Sequence, residues 1–246
     1  MSTFAPLNLE SYRRIFILTG AGVSVASGLP TYRGPGGLWN DADIARIVEA
    51  ENLPGSLPDL WKLYRGRREQ VLQSQPNAAH YAIANLQRTW SKRGNDRRVM
   101  LATQNIDDLH QRAGSPDVLE LHGSGFMTRC SNERCTAPPF RDEALYDEVP
   151  LCAECGSPLR PAVVLFGEML PEHVLYRVAQ ALGECDLFIS VGTSGQVWPA
   201  ARFVQAAVQV GARTISVNVE RSDNPHFQEE YLGRAEEVLP QLLGSA

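Results

Sequence analysis

The chain contains no apolar run of the roughly 18 residues that a membrane-spanning helix requires. Its first residues, MSTFAPLNLESYRR, lack the ordered charged, apolar and cleavage regions of a secretory signal, so a cytoplasmic protein is expected. Positive charge is not in excess either. With a formal charge of −5, the chain lacks the overall basic field that dominates nucleic-acid binding. Lysine is scarce, Lys62 and Lys92 being the only two, and this bias points to no function. Repeats and low-complexity stretches are missing. So is a disulfide framework, because the five cysteines are an odd number and four of them crowd into residues 130 to 155.

What remains is an ordinary globular composition, 43% hydrophobic and 21% charged over 246 residues. That length suits one α/β core with small insertions. Strand-like apolar runs recur at Arg14 to Thr19, Arg98 to Thr103, Val118 to Leu121, Ala162 to Phe166, Asp186 to Val191 and Arg213 to Val217. Several are apolar on both faces, as in strands covered by helices on each side. Helical periodicity falls between them, at Ala78 to Trp90, His173 to Leu182 and Pro199 to Val208. This alternation predicts a Rossmann-like, doubly wound parallel sheet formed by residues 1–33, 78–127 and 162–246. Residues 34–77, with Gly and Pro clusters and an Arg-rich helix, and residues 128–161, with the cysteine pairs, are expected to form a smaller lobe. The cleft between the lobes is the expected ligand site.

The first strand runs into Gly20-Ala21-Gly22-Val23-Ser24, small residues that let backbone N–H groups approach a pyrophosphate at a helix N-terminus. Val25 stands where a dehydrogenase fingerprint has its third glycine, and no acidic strand end follows about 20 residues later. Next comes a loop able to fold over a dinucleotide: Pro30, Thr31, Tyr32 and Arg33, then Gly36-Gly37-Leu38-Trp39. The second strand ends in Gln104-Asn105-Ile106-Asp107, polar groups where α/β folds place ligands, although Asn105 or Asp107 would serve equally as a helix cap. His122, at the end of Leu119-Glu120-Leu121, is the candidate general base, because imidazole takes a proton near neutral pH. Cys130-x4-Cys135 and Cys152-x2-Cys155, sixteen residues apart, are spaced to close a zinc site of four thiolates. Such a site has no open position and is therefore structural. Cys185 stands apart as a small buried hydrophobe. Gly192-Thr193-Ser194 and Asn218-Val219-Glu220 end later strands with the hydroxyl, amide and carboxylate groups that adenosine hydroxyls need.

Taken in order, GAGVSVASGLPTYRG, TQNID, LELHG, the cysteine pairs, VVLFGE, GTS and NVE resemble the sirtuin family from Arg14 to Pro240. The resemblance implies an NAD-dependent protein-lysine deacylase. Residues Gly20 to Trp39 would embrace NAD, with Ala21, Tyr32 and Arg33 near the pyrophosphate and nicotinamide end. Tyr32 stands where the family usually has Phe. Gln104 would meet the nicotinamide ribose, Asn105 and Asp107 would line the nicotinamide pocket, and Gly192, Ser194, Asn218, Glu220 and Ala235 would hold the adenosine half. Val164, Phe166, Gly167 and Glu168 would pair with an extended substrate peptide by strand addition. The acyl oxygen would attack the ribose as nicotinamide leaves, with His122 taking a proton from the ribose diol. The products would be lysine, nicotinamide and O-acyl-ADP-ribose.

Tyr64 and Arg67 lie three apart on one helix face and resemble the Tyr-x-x-Arg pair with which class III sirtuins receive a succinyl or malonyl carboxylate. Ala45-Arg46-Ile47 replaces the Ala-Thr-Pro of relatives, keeping the small residue and changing its neighbours. The competing readings are protein mono-ADP-ribosyl transfer on the same fold and a non-catalytic NAD- and zinc-binding module. Acylated lysines of proteins are the expected partners, with no nucleic acid and no membrane.

Overall fold

The computed structural model describes residues 4–32, 41–94, 96–195 and 197–244. In chain order the elements are β1 (Arg14–Thr19), α1 (Ala42–Ile47), α2 (Leu53–Gln73), α3 (Ala78–Trp90), β2 (Arg98–Thr103), α4 (Leu109–Arg112), β3 (Leu119–Glu120), β4 (Gly123–Cys130), β5 (Phe140–Arg141), β6 (Leu159–Val163), α5 (Glu172–Glu184), β7 (Leu187–Val191), α6 (Phe203–Gln209), β8 (Arg213–Asn218), β9 (Glu229–Leu232) and α7 (Ala235–Leu242).

Among the described residues, β3-β2-β1-β7-β8-β9 form a six-stranded sheet in which every pairing is parallel. The period-2 geometry of a strand divides its side chains between two cores. Ile15 and Ile17 of β1 pack under α3 and α7, while Phe16 and Leu18 pack under α5 and α6. Strand order reverses between β1 and β7, and the carboxyl ends of those two strands frame the crevice that doubly wound sheets offer to ligands.

The smaller lobe is an antiparallel sheet, β5-β4-β6, covered by α2. Leu57, Leu60, Trp61 and Tyr64 form the buried stripe of α2 at helical spacing and meet Cys130, Cys152, Leu159, Val163 and Leu165. The Trp61 indole donates to the Leu159 carbonyl at 2.8 Å, so the buried ring keeps its hydrogen bond.

Three expectations change. The segment expected as a main-sheet strand at Ala162 to Phe166 has only Ala162 and Val163 in a strand, and that strand is the end of β6, which pairs with β4 in the small sheet. Its apolar character on both faces reflects a position between lobes, with Val163 and Leu165 in the small-lobe core and Val164 against the main core. The turn after β1 opens a 3-10 helix, Ala21–Ser27, in place of an α-helix. Pro199 to Val208 divides into a 3-10 turn, Ala200–Arg202, and α6. Strand β9 and helix α7 were not anticipated: β9 is an edge strand with a mixed Glu-Glu-Tyr-Leu pattern, and α7 carries Pro240.

Candidate active site

Two glycine turns meet at the crevice. The Gly22 N–H donates to the Gly192 carbonyl at 2.8 Å, and a Cβ on Gly22 would stand 2.6 Å from the Gly192 Cα. Gly192 itself has φ +59°, a conformation that glycine adopts without steric cost. Only residues without side chains can bring these two loops together.

Above this junction lies a cavity of about 840 Å³ that reaches from the Gly192 and Asn218 turns to the small lobe. Of the residues singled out for the cofactor, Gly20, Ala21, Gly22, Thr31, Tyr32, Gln104, Asn105, Ile106, Gly192, Thr193, Ser194, Asn218, Val219, Glu220 and Ala235 line it. Ser24, Pro30 and Asp107 line a smaller side cavity of about 40 Å³, which shares Ala21, Tyr32, Tyr64, Asn105 and Ile106 with the large one. Arg33 and Trp39 lie outside the described residues.

The polar floor is a closed network. Asn105 Nδ2 donates to the Gly20 carbonyl and to Ser24 Oγ, both at 3.2 Å, and Ser24 Oγ donates to Asp107 Oδ2 at 3.0 Å. Burial raises the Asp107 pKa, while the Leu109 N–H and the Ser24 hydroxyl oppose that shift. Gln104 Nε2 donates to Thr193 Oγ1 at 2.9 Å, joining the ends of β2 and β7.

His122 alone of the five histidines lines the large cavity. Its Nδ1 lies 2.8 Å from the Gln104 carbonyl, which can only accept, so the proton sits on Nδ1 and Nε2 keeps its lone pair. Burial lowers its pKa, with the Gln104 contact opposing. A neutral imidazole of fixed tautomer is a competent proton acceptor.

Tyr64 lines both cavities, and Arg67 lines the side cavity on the same face of α2. The Arg67 guanidinium carbon lies 5.4 Å from the Tyr32 ring centroid, and Nη1 donates to Gln70 Oε1 at 3.2 Å. Its Nη2 is buried without a hydrogen-bond partner among the described residues. Burial lowers the Arg67 pKa, opposed by the Tyr32 and Tyr64 phenols, and raises that of Tyr64 far above the ordinary phenol value. Tyr64 is therefore a neutral donor. Ala45, Arg46 and Ile47 line neither cavity.

Val164, Phe166, Gly167 and Glu168 border the large cavity from the small-lobe side. Several of their backbone groups are already engaged: Val164 N–H with the His122 carbonyl, Phe166 N–H with that of Val48, and the Phe166 carbonyl with Ala50 N–H. The Glu168 carboxylate is held by Arg160 at 2.6 and 3.1 Å and accepts from Leu165 N–H at 2.8 Å. It thus braces the loop.

The four cysteine sulfurs lie within 4.8 Å of one another, Cys130 3.6 Å from Cys155 and Cys135 3.7 Å from Cys152. Sulfurs each about 2.3 Å from a tetrahedral zinc stand about 3.8 Å apart, so the donor set fits that ion. It lies in the small lobe, apart from the cavity lining.

Residues 20–199 match the Sir2 family. The chain belongs to the Sir2 family. This sirtuin is 46% identical to NAD-dependent protein deacylase 1 of Pseudomonas aeruginosa, over 97% of this chain and 96% of that one. It is 40% identical to NAD-dependent protein deacylase 2 of Pyrobaculum aerophilum, over 96% and 92%. A solved Sir2 homolog–NAD complex superposes with TM-score 0.86 at 36% identity, covering 100% of this chain and 96% of that chain. A Sir2–p53 peptide–NAD+ complex superposes with TM-score 0.81 at 31% identity, covering 96% and 95%. The cavity of this sirtuin also takes in residues that sequence reading passed over, among them Leu170, Trp198 and Arg234. Trp198, 59% exposed, lies four residues after the Gly192 to Ser194 turn, and Arg234 immediately precedes Ala235. Their nearness to those motifs was the available signal.

Proposed function

We propose that this sirtuin is an NAD-dependent protein-lysine deacylase that takes succinyl and malonyl groups in preference to acetyl and yields free lysine, nicotinamide and O-acyl-ADP-ribose. The observation that carries the acyl preference is the buried, unpartnered Nη2 of Arg67 beside Tyr64 in the side cavity. A buried donor left unsatisfied costs about 1–3 kcal/mol. A carboxylate entering from the large cavity would relieve that cost with a charge-assisted bond, and the neutral Tyr64 hydroxyl would donate the second.

NAD, when bound, supplies a ribose carbon whose nicotinamide can leave. The chain supplies the rest. Glycine turns at Gly20, Gly22 and Gly192 let the backbone approach the pyrophosphate. Gln104 orients the nicotinamide ribose, Asn105, Ile106 and Asp107 the nicotinamide, and Asn218, Glu220 and Ser194 the adenosine hydroxyls. His122 Nε2 accepts a proton from a ribose hydroxyl. The substrate peptide pairs along Val164 to Glu168, chiefly through Gly167, since the neighbouring N–H groups are engaged. The enzyme acts on acylated proteins in the cytoplasm. No described helix is long and apolar enough to cross a membrane, and the charge of −5 disfavours nucleic acid.

The test compares two substrates on one variant. Each charge-assisted bond contributes about 1.5–3 kcal/mol and about 1.4 kcal/mol is tenfold, so Arg67→Met should lower succinyl-lysine kcat/KM by roughly 10- to 100-fold. Acetyl-lysine turnover should hold or rise. Equal losses on both peptides, or a wild type that ignores succinyl-lysine, would remove Arg67 from acyl recognition.

A further inference from the structure

Two consecutive residues of the zinc-bearing lobe reach different parts of the active site. Arg141, the last residue of β5, donates through Nη2 to Asp108 Oδ2 at 3.0 Å. Asp108 is buried, directly follows Asp107, and has Arg112 at 3.7 Å as its second cation. Asp142, the first residue after β5, meets a different set of partners. Its Oδ2 accepts from Thr128 Oγ1 at 2.6 Å and lies 3.3 Å from Arg68 Nη1.

Arg68 is 1% exposed. It donates to the Gly125 carbonyl at 2.8 Å, the Ala144 carbonyl at 2.7 Å and Thr128 Oγ1 at 3.0 Å. A buried guanidinium is tolerated only with its charge matched and its donors met, and Asp142 supplies the matching charge. Arg68 follows Arg67 and stands one turn beyond Tyr64, so whatever fixes Arg68 fixes the rotation of α2 about its axis, and with it the direction of both acyl-pocket side chains.

The geometry points to a fork: Arg141 and Asp142 are positioning residues through which the zinc-bearing lobe braces the loop after Asp107 by one arm and chiefly the acyl-pocket helix by the other, the second arm touching the Ile106 carbonyl only through Gly125. This rests on the assignment of Asp107 to the nicotinamide and of Tyr64 and Arg67 to the acyl group. Neither fork residue lines either cavity, so each acts through its partner. The two arms differ in burial. Arg141 is 57% exposed, whereas Arg68 and Asp142 are 1% and 5% exposed.

The test uses the full-length, zinc-loaded enzyme with Asp142→Asn and Arg141→Ala. Asp142→Asn retains an acceptor for Thr128 while removing the charge opposite Arg68. It should raise the acyl-peptide KM about tenfold, the scale of a small misplacement of a binding group, and leave the NAD KM within about twofold. Arg141→Ala should raise the NAD KM and the nicotinamide inhibition constant by up to about fivefold, the scale of a half-exposed ion pair, with the peptide KM unchanged. Asp142→Glu, which restores the charge, should recover part of the peptide KM. The proposal fails if either variant moves both KM values together, if neither moves, or if either loses zinc. The split is read on whichever acyl peptide the wild type turns over best, so an enzyme indifferent to succinyl would overturn the carboxylate assignment while this measurement still decides the fork.

Discussion

At the scale of the residue, His122 carries the sharpest prediction. The Gln104 carbonyl fixes its tautomer and burial lowers its pKa, so the ring is neutral at pH 7 and is lost as a base only below its ordinary value of about 6.5. kcat/KM should therefore fall on an acid limb whose midpoint lies below 6.5. His122→Ala should bind NAD with little change, because the cavity wall is mostly backbone and other side chains, while deacylation falls by roughly 100-fold or more, the usual contribution of a positioned base. Calorimetry of NAD binding alongside turnover separates the two, and a variant that retains full turnover would end the assignment. The cavity-lining residues were legible as an ordered set of motifs and not one by one, since Asn105 or Asp107 taken singly would serve equally as a helix cap. Glu168 was less so. Placed with the peptide in the sequence, its carboxylate braces the loop through Arg160, a partner that no local spacing indicates.

At the scale of the element, the cysteine module shows what a local pattern can carry. Its four cysteines come from the end of β4, the turn after it and a second short loop, and their spacing alone implies the closed tetrahedral set that the sulfur positions fit. Zinc sites in small modules contribute apparent free energies of roughly 10–16 kcal/mol, far more than a domain's net stability. Cys130→Ser should accordingly lower metal content and soluble yield before any catalytic constant shifts selectively. Metal analysis of purified protein checks this, and a metal-free variant with normal stability and turnover would refute it. Strand β6 shows the opposite case. Residues 162–166 are apolar on both faces, which a strand inside a parallel sheet and a segment wedged between two cores satisfy equally. The pairing of β6 with β4 chose between them.

At the scale of the whole molecule, two buried histidines couple stability to pH. His80 is fully buried, and burial lowers its pKa to about 4. His110, whose ring meets that of His80 edge-on with centroids 4.7 Å apart, is lowered by burial and then by His80. Below about 6.5 the unfolded chain takes protons that the native state refuses, so stability should fall as pH drops from 6.5 towards 4, by on the order of 3 kcal/mol through His80 alone, and should be insensitive to these groups above that window. Denaturant midpoints at pH 7.5 and 5 measure it, and His80→Gln should flatten the slope. A wild-type midpoint unchanged between those pH values would count against the buried pair. The sequence by itself determined the α/β class and a cysteine set that fits zinc, through period and spacing, and the order of the turns that line the cavity, through the family resemblance. The tertiary structure decided which lobe owns β6, that Glu168 braces a loop, that Arg46 and Ile47 line neither cavity, and that Arg67 keeps an unpartnered nitrogen in the side cavity. All of these depend on contacts between segments distant in the chain, which local periodicity does not encode.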